Sequence, residues 1–152
     1  MTSSAPKHTT RRRTVIGAAL GIVLIGVLVA IVVNRSNGAK VINAGGDTLV
    51  LVGKKTSDSM AALGQGRLAD VGGCLGWAPT EEDTGPGTVI IWPHGTTVQT
   101  PDPLRVRVAG KDFAIGDELE LGGGFIGPLD EDSYFYDQVP AACRTATAFL
   151  AG

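Results

Sequence analysis

The first 46 residues contain no aspartate or glutamate, residues 15–33 carry no charge of either sign, and only one histidine, His94, lies beyond the first eight residues. The chain has two cysteines, Cys74 and Cys143. These shortages exclude several chemistries. One histidine and two thiols do not make the tetrahedral ligand set of a zinc site, so no metal and no cofactor is expected. The acidic clusters Glu81-Glu82-Asp83 and Asp130-Glu131-Asp132 lack the alternating ligand spacing of a calcium loop. Gly122-Gly123-Gly124 is followed by neither lysine nor helix, so it is not a phosphate cradle.

What is present is divided by charge. Six basic residues (Lys7, Arg11, Arg12, Arg13, Arg35 and Lys40) precede Asp47, the first acidic residue. From Asp47 onward seven basic residues face fifteen acidic ones, a net charge of −8. Between the basic N-terminus and the acidic remainder lies the uncharged run 15–33. As a helix at 1.5 Å per residue it is about 28 Å long, close to the ~30 Å hydrocarbon thickness of a bilayer. A backbone in lipid must satisfy its own hydrogen bonds, which makes that run helical. A buried core helix would keep a polar face, and this run has none. A cleaved signal peptide would have a shorter apolar stretch, although Ser36-Asn37-Gly38 offers a small-x-small site. Lys7 and Arg11-Arg12-Arg13 on one flank outweigh Arg35 and Lys40 on the other. The expected topology is therefore single-pass in the plasma membrane, N-terminus cytoplasmic and C-terminal domain extracytoplasmic. Gly17 and Gly21, four apart, have the small-xxx-small spacing that allows close helix packing and a homodimer.

The predicted organisation is a disordered tail over 1–14, a transmembrane helix over 15–33, a linker over 34–46 and an extracytoplasmic domain over 47–152. In an oxidising compartment Cys74 and Cys143 should form a disulfide, tying the start of the outer domain to its end. An activated cysteine nucleophile is not expected, because the bridge would consume it.

Within the outer domain the hydrophobic pattern has period two, broken by glycines. Strands are expected at 48–52, at 66–75 with a bulge at Gly72-Gly73, at 88–92, at 104–108 with Leu104, Val106 and Val108 on one face, and at 118–121. Hairpin turns are expected at Gly110 and at Ile115-Gly116-Asp117. Residues 57–63 and 140–147 suggest short helices, and Pro140 suits the start of a single helical turn before a strand or helix over 146–150. The predicted fold is all-β: a small half-closed barrel resembling the oligonucleotide/oligosaccharide-binding (OB) fold, with a β-sandwich as the alternative.

The series Gly73-Cys74-Leu75-Gly76, Trp92-Pro93-His94-Gly95-Thr96, Ile115-Gly116-Asp117-Glu118 with Gly122-Gly123-Gly124, and Val139-Pro140-Ala141-Ala142-Cys143 resembles a family of small exported or lipid-anchored domains of high-G+C Gram-positive bacteria. The resemblance spans residues 66–150. It implies an exported compartment and no mechanism, and it departs from the family in having an apolar helix in place of a lipid-attachment cysteine.

The candidate binding residues are Trp77, Trp92, His94, Asp130, Tyr134 and Tyr136; no catalytic residue is assigned. His94, in a Pro-His-Gly turn, needs a positioned partner to act as a base, which the sequence does not identify; its role is structural or a polar contact in a groove. Trp92 ends an apolar strand and suits the core, whereas Trp77 stands beside an acidic loop and suits core or surface equally. Tyr134-Phe135-Tyr136, beside an acidic cluster, is the best exposed recognition patch. Nucleic acid is excluded, since phosphate binding requires clustered lysine and arginine. The expected function is a non-enzymatic, membrane-tethered extracytoplasmic module that binds a protein or cell-envelope partner. One alternative is an envelope hydrolase using carboxylates of the two acidic loops, which would have to approach within about 5–10 Å. The other is an accessory subunit acting through its transmembrane helix.

Overall fold

A computed structural model describes residues 38–57, 60–80, 85–101 and 103–152. The run 15–33, with Gly17 and Gly21, and the Glu81-Glu82-Asp83 cluster lie outside the described residues. Among the described residues no helix is long and apolar enough to cross a membrane.

The described chain is all-β, as its alternating pattern requires. Ten strands run in order: β1 (Lys40–Asn43), β2 (Leu49–Val52), β3 (Ala62–Val71), β4 (Cys74–Trp77), β5 (Thr88–Trp92), β6 (Thr97–Pro101), β7 (Leu104–Val108), β8 (Lys111–Ala114), β9 (Glu118–Gly127) and β10 (Thr147–Ala151). A 3-10 turn (Tyr136–Gln138) and one short helix, α1 (Ala141–Thr145), lie between β9 and β10. Pro140 precedes α1 with φ −59°, so the single turn expected at Pro140 is present and the segment after it is strand.

Five strands pair in a closed circuit. β3 pairs antiparallel with β4, β4 with β5, β9 with β10, and β9 with β3. The seam between β10 and β5 is parallel. The β1–β2 hairpin adds to this circuit, with β2 alongside the end of β5. A separate antiparallel sheet, β6-β7-β8, is inserted between β5 and β9.

The apolar side chains divide into two cores, and the pleat explains the division. Inside the circuit lie Leu68, Leu75, Trp77, Ile90, Trp92, Leu119 and Phe149, joined by Val106 and Val108 from the inserted sheet. On the outer face lie Leu51, Val89, Ile91 and Ala148, covered by Leu129, Phe135, Val139, Cys143 and Ala146 from the β9–β10 connection. A strand buried on both faces has no polar side to alternate with, which is why β2 and β5 read as the unbroken runs LVLV and TVIIW. The disulfide is formed: Cys74 and Cys143 are bonded, with Cα atoms 5.8 Å apart and a sequence separation of 69. It fastens the covering connection to β4.

Several local readings change. Gly72-Gly73 is a two-residue hairpin loop rather than a bulge, since Val71 pairs with Cys74 and both glycines have positive φ, +62° and +90°. A tight hairpin of this kind needs positive φ at both loop positions. β3 begins at Ala62, so Ala62 and Leu63 are strand and not helix. Its early inward position is Gly64, where a Cβ would run into the Trp77 and Phe149 rings. Lys40–Asn43, expected as linker, is strand. The turns at Gly110 and at Ile115-Gly116-Asp117 stand where the pattern placed them; the Ala114 N–H donates to Asp117 Oδ2 at 2.8 Å.

On the inserted sheet Arg107 and Asp112 face each other across β7 and β8, joined by two hydrogen bonds of 2.6 and 2.7 Å. The hydrogen bond from Arg107 holds the Asp112 carboxyl below its ordinary pKa, and the same contact raises that of Arg107.

Candidate functional site

The β9–β10 connection covers only part of the outer face of the strand circuit. Where the cover ends, a groove of about 540 Å³ remains, within the usual size of small-ligand sites. Its lining is brought from separate parts of the chain. Ile91 comes from β5, Leu150 and Ala151 from β10, and Ile126 from β9. Met60, just ahead of β3, lies against Gly124, where a Cβ would collide with its side chain. Gly53 and Lys54 follow β2, Ala39 precedes β1, and Asp132, Tyr134 and Phe135 come from the β9–β10 connection.

The lining is largely hydrocarbon, and it is incompletely covered. Met60 is 41% exposed, Ile126 45% and Tyr134 57%. Leu63, Phe125 and Ile115 are the other large exposed apolar side chains among the described residues. Phe125 pairs in register with Phe149 and lies edge-on to its ring at 5.0 Å. Leu63 stands opposite Gly122, whose carbonyl accepts the N–H of Gly152 on the groove wall. Among the described residues, five of the six exposed large apolar side chains therefore belong to this groove or to the strand ends beside it. Ile115, in the β8–β9 turn, stands apart.

The candidate residues scatter. Trp77 and Trp92, 3% and 0% exposed, are core residues and not surface platforms. Trp77 meets Phe149 edge-on at 5.0 Å. Neither indole N–H has a hydrogen-bond partner among the described residues. Burying an indole of about 200 Å² contributes about 5 kcal/mol, against about 1–3 kcal/mol for the lost hydrogen bond, so burial wins. His94 is exposed in the turn after β5; in the same turn the Thr96 hydroxyl donates to the Pro93 carbonyl at 2.8 Å. Asp130 is exposed, and its carbonyl accepts the Ser133 N–H at 3.0 Å. The aromatic run divides: Tyr134 lines the groove, Phe135 is buried, and Tyr136 lies under the Arg144 guanidinium, 4.7 Å from the ring centroid, beside a smaller pocket. Cys74 and Cys143 are joined to each other and have no free thiol. Among the described residues no three histidine, cysteine, aspartate or glutamate side chains gather as a metal-binding group.

Sequence reasoning found Tyr134 and missed Met60, Ile91, Ile126 and Leu150. Ile126 was the one visible signal: a large apolar residue beyond a glycine-rich stretch, with no alternating neighbour to give it an inward role. Comparison with known proteins supplies no further constraint: no family model, no curated protein and no solved structure matches the chain.

Proposed function

We propose that this chain is a membrane-tethered, extracytoplasmic binding module without catalytic activity, and that the apolar groove is its ligand site. The observation that carries this reading is the groove itself: concave, mostly hydrocarbon and rimmed by Lys54 and Asp132. Such sites suit ligands held by apolar contact and oriented by a few polar groups. The uncharged run 15–33 and the basic N-terminus support the tether and its orientation, and the bonded cysteine pair is of the kind found in exported proteins. The ligand would come from the cell envelope, as the resemblance to exported domains implies.

The finer fold reading belongs with this proposal. A five-strand circuit with four antiparallel seams and one parallel seam supports an OB-like barrel over a sandwich. The binding mode usual for that fold is not adopted with it, since fold does not imply function and the outer domain carries a net charge of −8. The groove lies partly on the outer face of the parallel seam, where Ile91 and Leu150 are in register.

A photoreactive amino acid placed at Ile126 of the full chain in living cells tests the reading, with the same label at Ile115 as the reference. The expected result is an adduct of discrete mass, protein or lipid, from position 126 and not from 115. No adduct at 126, or the same mixture at both positions, would sink the proposal.

A further inference from the structure

We infer that the partner filling the groove is a second copy of this chain, seated on it across a two-fold axis. The inference rests on the reading of the groove as a binding site and names its partner.

A two-fold pair requires one patch to complement itself: what projects from it must find a recess in the same patch, and each charge an opposite one. The groove and its border meet both conditions. Leu63, 63% exposed, is the most exposed large apolar side chain among the described residues. Its register partner on β9 is Gly122, where an added Cβ would meet only the Gly152 carbonyl at 3.7 Å. The φ of Gly122 is not positive. Neither backbone nor packing among the described residues therefore requires glycine at 122, in contrast to Gly123 and Gly124 beside it. Glycine inside a strand marks a place where another chain can approach closely. Projection and recess stand side by side, so a half-turn about an axis between them puts each copy's Leu63 over the other's Gly122.

The charges follow the same rule. Lys54 and Asp132 both line the groove and are exposed. Among the described residues neither is in a salt bridge. A patch with one unpaired charge of each sign satisfies both against a second copy, since Lys54 of each meets Asp132 of the other. The outer domain's net charge of −8 opposes the approach, and a screening length of about 8 Å at physiological salt confines that repulsion.

The area is sufficient. Met60, Leu63, Ile126 and Tyr134 are each about half exposed, and at about 200 Å² per bare side chain they leave about 400 Å² of apolar surface open. Two copies cover about 800 Å² of it; at the roughly 60% apolar content of interfaces this corresponds to about 1,300 Å² in all, inside the ~1,200–2,000 Å² of stable pairs.

The test uses the full chain in detergent at physiological salt, with sedimentation equilibrium giving the dissociation constant. The unmodified chain is expected to dimerise. Lys54→Asp alone and Asp132→Lys alone each set like charges opposite one another twice, and each should weaken the dimer by about tenfold or more. An equimolar mixture of the two variants should regain the original affinity, because each supplies the charge the other lacks. Gly122→Val, which fills the recess, should weaken the dimer while leaving the melting temperature within a few degrees. Ile115→Glu, at an exposed isoleucine elsewhere, should change nothing. A monomeric chain, a dimer that all the variants form equally, or a mixture no tighter than the single variants would each overturn the inference. An in-cell adduct at position 126 of discrete mass other than that of this chain would also overturn it, and would leave the binding module standing with another partner; no adduct at 126 would remove both.

Discussion

Replacing Cys74 and Cys143 together by alanine removes a cross-link between residues 69 apart in sequence. In the chain-entropy treatment, a loop of that length restricts the unfolded chain by about 4 kcal/mol at 25 °C. Both cysteines are fully buried in the outer-face core, so losing two sulfurs adds a packing cost on the order of 1 kcal/mol. Against a typical domain stability of about 5–15 kcal/mol, the sum is a large share. Urea denaturation of the full chain in detergent reads it out. Trp77 and Trp92 are buried, so their emission reports the opening of the core. With a urea slope of about 1–2 kcal/mol per molar, the midpoint should fall by about 2.5–5 M. Reducing the unmodified chain keeps both sulfurs in place and isolates the cross-link, so it should account for most of the shift. The covering segment should also become open to protease between Leu129 and Ala146. A midpoint that moves by less than about 0.5 M would mean that the bridge does not constrain the unfolded chain as supposed. Unaltered proteolysis would mean that the cover holds without its fastening.

Two further changes follow from the inserted sheet. Ala109 has φ +48°, the one positive φ outside glycine among the described residues; Ala109→Gly or Ala109→Asn should raise stability by about 0.5–1 kcal/mol, read as a higher melting temperature, and a fall would show that the alanine is not strained there. Asp112, held below its ordinary pKa by Arg107, contributes stability that is present above the unfolded carboxylate pKa and is lost as the pH falls through its lower folded value. Carboxyl-carbon NMR should show Asp112 titrating below its ordinary value in the native chain and returning toward it in Arg107→Gln, and an unmoved midpoint in that variant would refute the pairing.

How much was legible depended on whether a residue's partner faces were polar. Leu104, Val106 and Val108 alternate with exposed arginines, and Leu119 and Leu121 with exposed glutamates, so β7 and the start of β9 could be read directly. Pro140 and the cysteine pair were equally plain, each being a local or covalent constraint. The first half of β3 was hidden because its inward positions are glycines. Gly64 and Gly66 give up side-chain volume to the Trp77 ring, and a missing side chain leaves no hydrophobic signal. β1 was hidden in a stretch whose glycines and short length resembled a linker. The groove was the least legible feature, because seven separated segments form it. Ile91 and Leu150 lie on strands buried on both faces, where sequence alone does not distinguish one face of the sheet from the other.

The position of β10 has a consequence for how the chain is made. Translation starts at the N-terminus, so β3, β4 and β5 leave the ribosome more than fifty residues ahead of the strand that must join β5 on one side and β9 on the other. Through that interval β5 offers a bare, apolar edge, the kind of strand on which chains stick to one another. An unpaired Cys74 waits as long for Cys143, so a guard against premature pairing of strands and of thiols is needed until the last hairpin emerges.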